Sequence, residues 1–104
     1  MPDDIQTDLI LRAQNGDTAI IGAIYERYHL SVYRFLYYRI GERQAAEDLT
    51  ADVFVRMIRS ISAYQPRTVT FQAWLFQIAR NIAIDHYRKI KHRHHAELEE
   101  TMVD

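Results

Sequence analysis

Three observations on this 104-residue chain predict an all-α fold, a compact bundle of about four helices with a loop between the third and fourth. Apolar residues recur every three or four positions and almost never alternate, which is the period of a helix face. Glycine and proline are scarce, three and two, so little interrupts a helix once begun. The length holds one small domain, and 48% apolar with 12% aromatic residues is enough to fold it.

The first helix is expected over Asp4 to Gln14, where Ile5, Leu9, Ile10 and Ala13 share a face and Asn15-Gly16 ends it. Asp17 or Thr18 caps the second, whose apolar positions Ile21, Ile24, Tyr28, Val32, Phe35 and Leu36 run until Gly41 closes it. At about 1.5 Å per residue that helix is roughly 35 Å long. The third, Glu42 to Ile61, repeats Ala45, Leu49, Val53, Met57 and Ile61 every fourth residue, with Ala46, Phe54 and Ile58 widening the stripe. Ser62 to Thr70 breaks the pattern, because Pro66 lacks an amide proton and turns Gln65 away from the helical region. Thr70 caps the fourth helix, Phe71 to Lys91, with Phe71, Leu75, Ile78 and Ile82 facing the core. Beyond Lys91 the polar run HRHHAELEETMVD is expected to fray.

A net charge of −1 conceals an uneven distribution. Residues 1–60 carry nine acids against seven arginines, 61–95 carry six basic residues and four histidines against Asp85 alone, and 96–104 carry four acids. The basic third quarter points to a polyanionic partner and the acidic stretches to protein. Zero cysteines exclude a disulfide scaffold and thiolate metal sites and fit a reducing compartment. No apolar run approaches the roughly 18 residues of a membrane span, and early acids stand where a leader peptide carries bases. A soluble cytoplasmic domain with no membrane partner is expected.

No glycine-rich phosphate loop, HExxH pair or glycine-flanked serine is present, so no enzyme chemistry and no cofactor is expected. His86, His92, His94 and His95 suggest a metal set. On a helix, however, His86 and His94 lie too far apart for one ion, and His94 and His95 diverge by about 100°. They read as a solvated basic helix end, with no metal site.

Laid out at about 100° per residue, Trp74, Gln77, Asn81, Ile84 and Arg88 form a stripe beside the core face of the fourth helix. Trp74 offers a stacking plane, the two amides offer paired donors and acceptors for base edges, and Arg88 can hold phosphate. Equally, Trp74 completes the core and the amides are solvated. The loop adds Tyr64, Gln65 and Arg67, which read either as contacts for an unstacked base or as a connector with the tyrosine tucked beneath it. On the third helix Asp48, Asp52 and Arg56 form a mixed-charge face. Asp52 and Arg56 are spaced to pair at i, i+4, and the face is either solvated or docks a helical partner.

The runs AAEDLTADVFVRMIRSI (Ala45 to Ile61) and FQAWLFQIARNIAIDHYRK (Phe71 to Lys89), with YERYHLSVYRFLYYRIG (Tyr25 to Gly41) upstream, closely resemble the second conserved region of bacterial RNA polymerase sigma factors of the extracytoplasmic-function group. The resemblance covers about residues 5 to 91 and implies a helical promoter-recognition domain over residues 1–95. Residues 96–104 then form an acidic tail or the start of a linker. It implies that the third helix docks on the clamp helices of the polymerase β′ subunit through Asp48, Asp52 and Arg56. Ala51 departs from the glutamine many members carry there. Tyr64 to Thr70 would form a pocket for a flipped base of the non-template strand of the minus-ten element, with Gln65 and Arg67 in that loop. Asn81 would contact DNA at the element's upstream edge, Trp74 would lie near the melted junction, and Arg88, Lys89 and Lys91 would hold phosphates. Members of the group continue into a helix-turn-helix domain that reads the minus-thirty-five element, and this chain stops at Asp104. The alternative function is a helical module bound by an anti-sigma regulator without productive DNA contact.

Overall fold

The structure, a computed structural model, describes residues 5–102; the expected helix start at Asp4 and the last two residues of the acidic end lie outside them. Four helices and one short 3-10 turn follow in order: α1 (Thr7–Gln14), α2 (Thr18–Ile40), α3 (Arg43–Ser60), the turn Ile61–Ala63, and α4 (Phe71–Met102). The described residues contain no strand.

The ends of α2 are set by local chemistry. The Asp17 carboxylate accepts from the backbone N–H groups of Ala19 at 3.1 Å and Ile20 at 3.4 Å, satisfying donors that the first turn leaves orphaned. Gly41 takes φ +76°, the left-handed conformation that glycine adopts without a Cβ penalty, and its N–H closes on Tyr37 O at 2.8 Å. Glu42 caps α3 in the same way, accepting from Gln44 N and Ala45 N. Arg12 reaches across the α1–α2 turn to Asp17 with two bonds of 3.1 and 2.9 Å. That guanidinium is the largest influence holding the Asp17 carboxyl below its ordinary value, with the backbone N–H groups acting in the same direction against partial desolvation.

Helix α2 packs against α3 and α4, α3 packs against α4, and α1 lies on α2 and the 3-10 turn. Ile24, Tyr28, Val32 and Leu36 of α2 meet Val53, Phe54 and Met57 of α3 and Phe71, Leu75, Ile78 and Ile82 of α4 in one core. Ile61 and Tyr64 close it from the turn. Ile58 does not join this core and is 49% exposed, because it lies about 90° from the centre of the α3 stripe. Ala45 and Leu49 are half-buried. In their place Thr50 is buried, its hydroxyl donating to Ala46 O at 2.7 Å. That bond removes the cost of burying it.

The expected fraying beyond Lys91 does not occur, and α4 continues to Met102. The run is polar but rich in helix formers, and His95 pairs with Glu99 one turn on at 3.1 Å. Thr101 Oγ1 donates back to Leu98 O at 2.8 Å. Every residue from 87 to 101 is exposed; Tyr87 still reaches α2, its hydroxyl donating to Arg39 O, and Lys89 borders α3, while the helix beyond them projects from the bundle. The molecule therefore measures 62 × 24 × 24 Å, with a radius of gyration of 16.9 Å. A compact chain of this length would have a radius of about 13 Å.

Candidate nucleic-acid interface

The loop between α3 and α4 is tied down from three sides. Gln14 of α1 donates through Nε2 to Ile61 O at 2.8 Å and to Tyr64 O at 3.0 Å, fixing the 3-10 turn from across the fold. Thr68 donates from both its backbone N–H and its hydroxyl to Gln65 O, at 3.1 and 2.8 Å. Thr70 begins α4 as expected, its Oγ1 accepting from Ala73 N at 3.2 Å.

Tyr64 is 3% exposed and sits beneath the loop, its hydroxyl donating to Val69 O at 2.7 Å. Its ring packs edge-on to Phe71 at 5.6 Å and tilted against Trp74 at 5.1 Å. Of the two readings of this tyrosine, the geometry is that of the buried strut. Gln65, Arg67 and the rest of the loop through Thr70 are exposed above it. Trp74 is half-buried: one part of the indole completes the aromatic cluster with Tyr64 and Phe71, and the remainder faces outward beside the loop.

Along α4, Gln77 and Asn81 are exposed and joined, Gln77 Nε2 donating to Asn81 Oδ1 at 3.1 Å. Arg80 donates to Gln77 Oε1 at 2.7 Å. The chain of bonds gives the amides a common orientation and leaves the Asn81 nitrogen as a donor. Ile84 is 42% exposed on the same side, and Arg88 follows, 3.9 Å from Asp85.

The three basic residues expected to act together are divided by the structure. Arg88 and Lys91 share an open groove with His92 and His95. Lys89 points elsewhere, into a cleft of about 240 Å³ between α3 and α4 that is also lined by Asp52, Arg56, Arg59, Asp85 and His86. Asp52 and Arg56 make no ion pair with each other among the described residues; both border this cleft. Asp48 lies outside the cleft lining and accepts from Gln44 Nε2 at 3.0 Å. Spacing on one helix brought Asp52 and Arg56 to notice, but Asp85 and His86 join them only through helix packing.

Comparison with known proteins bears on the family and the fold. Residues 24–93 match the family described as Sigma-70 region 2. The ECF RNA polymerase sigma factor BldN of Streptomyces coelicolor is 41% identical over 86 residues, 83% of this chain and 33% of that protein. SigM of Bacillus subtilis, another ECF sigma factor, is 42% identical over 71 residues, 68% of this chain and 42% of that protein. A solved RsbN–BldN complex contains a chain that superposes with a TM-score of 0.70 at 42% identity, over 77% of this chain and 58% of that one. The chain thus spans about a third to a half of the length of these relatives. Four helices in this order, a braced loop before the last of them, and a family match across α2, α3 and most of α4 make this chain a member of the Sigma-70 region 2 family, in the ECF group of RNA polymerase sigma factors.

Proposed function

We propose that this chain is the promoter-opening part of a sigma factor, which carries core RNA polymerase to the minus-ten element and holds the non-template strand once unpaired. The observation that supports this most is the single face of α4 on which Trp74, Gln77, Asn81, Ile84 and Arg88 follow one another beside the braced loop. The face joins a ring for stacking, oriented amides for base edges and a cation for phosphate. Tyr64 supports the loop from below, and Gln65, Arg67 and the loop backbone receive a base from above. Capturing a base offsets the few kcal/mol needed to unstack it, so opening is favoured where the pocket fits. Asp48, Asp52 and Arg56 on α3 dock on the β′ clamp helices, with the cleft between α3 and α4 beside them. The site of action is the cytoplasm, and no metal or cofactor takes part.

A second reading has one observation in its favour: BldN, 42% identical here, is seen bound to a second protein, RsbN. An anti-sigma protein is accordingly a further proposed partner.

Asn81→Ala tests the first reading. Asn81 is exposed, so the fold is spared. Loss of a paired base contact costs about 1–3 kcal/mol. Fluorescence anisotropy with a single-stranded minus-ten oligonucleotide should weaken accordingly, and open-complex yield should fall while capture of core polymerase holds. Equal strand affinity in variant and wild type contradicts the proposal.

A further inference from the structure

We propose that the projecting half of α4 pairs with the same segment of a second copy of this chain, side by side and antiparallel, to form a weak symmetric dimer. The pairing needs no nucleic acid and goes beyond the reading just given.

Helix α2 covers one side of α4, and that side continues past the point where α2 ends. Phe76 meets Phe35 of α2, Ala79 and Ala83 are buried, and the Tyr87 hydroxyl donates to Arg39 O in the last turn of α2. At about 100° per residue, Ile90, His94, Leu98 and Thr101 prolong this row within an arc of about 100°. Nothing among the described residues lies over the prolongation. Tyr87, Ile90 and Leu98 are 52%, 46% and 48% exposed, and every residue from 87 to 101 is exposed. Large apolar side chains aligned on one side of a solvated helix make a face suited to contact.

Spacing and charge select the occupant. Tyr87, Ile90, His94, Leu98 and Thr101 follow at intervals of three, four, four and three, a pattern that is the same in both directions about His94. An antiparallel second copy therefore sets Ile90 opposite Leu98, Tyr87 opposite Thr101 and His94 opposite its own equivalent. The charges share this symmetry. Arg88, Lys89, Lys91 and Arg93 precede the centre, and Glu97, Glu99 and Glu100 follow it. Lys89, Arg93, Glu97 and Glu100 lie on one flank of the row, and a two-fold axis across the pair brings that flank against its equivalent. Arg93 of one copy then faces Glu97 of the other, and Lys89 faces Glu100, each contact occurring twice. A parallel pair would set bases against bases and acids against acids, so charge fixes the antiparallel sense.

The row is about four turns long, short of what an obligate interface buries. Association is therefore weak, with half of the chains paired at on the order of 100 μM. The seam lies about 120° around the helix from the stripe of Trp74, Gln77, Asn81, Ile84 and Arg88, which pairing leaves open.

Sedimentation equilibrium of the full chain from about 5 μM to about 1 mM should show monomer converting to dimer, less so as salt is raised. Ile90→Ala with Leu98→Ala should weaken the dimer on the order of tenfold. Arg93→Glu should weaken it as well, and so should Glu97→Arg, because each sets like charges together. An equimolar mixture of those two variants should pair more tightly than either alone. All four positions are exposed, and circular dichroism of each variant checks that the helix is kept. The chain has no cysteine, so His94→Cys places a single thiol on the two-fold axis. Under a mild oxidant it should give a disulfide-linked dimer, whereas Ala96→Cys, on the opposite side of the helix, should not.

A monomer at every concentration overturns the dimer. So does a mixture of the charge variants that pairs no better than its parts. Ile90 and its equivalent lie about 12 Å apart along an antiparallel pair, so Ile90→Cys linking as fast as His94→Cys marks a parallel one. Equal linking of Ala96→Cys marks chance collision, and either result removes the antiparallel seam. The promoter reading is tested by strand affinity and survives all of these outcomes.

Discussion

Tyr64 shows how one side chain can serve a binding surface without touching the ligand. Its hydroxyl spans five residues to Val69 O, and its ring supports Phe71 and Trp74, so the loop above is held at both ends by a buried group. Tyr64→Phe keeps the ring and deletes that bond. We expect a loss of about 0.5–1.5 kcal/mol in urea unfolding. Affinity for the minus-ten strand should drop by more than this stability change explains, since Val69 and its neighbours are released. Equal affinity would show that the hydroxyl serves stability only. The sequence displayed an aromatic in a loop but not its direction, because burial of Tyr64 depends on Phe71, Trp74 and Gln14. The two bonds from Gln14 cross 47 and 50 positions, and nothing local to α1 announces them.

At the scale of the element, legibility follows the range of the force. Both ends of α2 were readable because an aspartate cap and a left-handed glycine act on their immediate neighbours. The far end of α4 was not, because helix and coil there differ by the small sum of propensities and i, i+4 pairs. The Asp17 cap carries a pH signature. Its carboxyl is held below the ordinary carboxylate value, so its charge stabilises the fold above that value, and the contribution disappears as pH falls through the lowered one. Asp17→Asn retains capping oxygen but not charge. The melting temperature of the wild type, followed by circular dichroism, should exceed that of the variant near neutrality and converge on it in acid. A gap that stays constant with pH would mean that the Arg12 pairing contributes nothing.

Across the whole molecule the core draws on α1, α2, α3, the 3-10 turn with Tyr64 and the first half of α4. Leu36 has no exposed surface and sits within it. Leu36→Ala should cost about 2–5 kcal/mol, measured as a lower urea midpoint with an unchanged slope. Against a total of about 5–15 kcal/mol that is enough to leave a marginal fold. A cost below about 1 kcal/mol, as a volume-conserving swap gives, would mean that the bundle closes over the gap. The fold class was evident in the sequence because helical periodicity is repeated along the chain. The elongated outline was not, because it depends on a segment that buries nothing.

The continuity of α4 makes it a ruler. Trp74 and His95 belong to one unbroken helix, 21 positions apart. At about 1.5 Å each that is roughly 31 Å. Laid along duplex DNA, the same distance is about nine base pairs. The spacing between side chains along this helix is thus graduated in helix turns rather than left to a tether. One residue added between them would swing the far end by about 100° around the axis. Such a gauge tolerates exchanges of side chains far better than a change in its length.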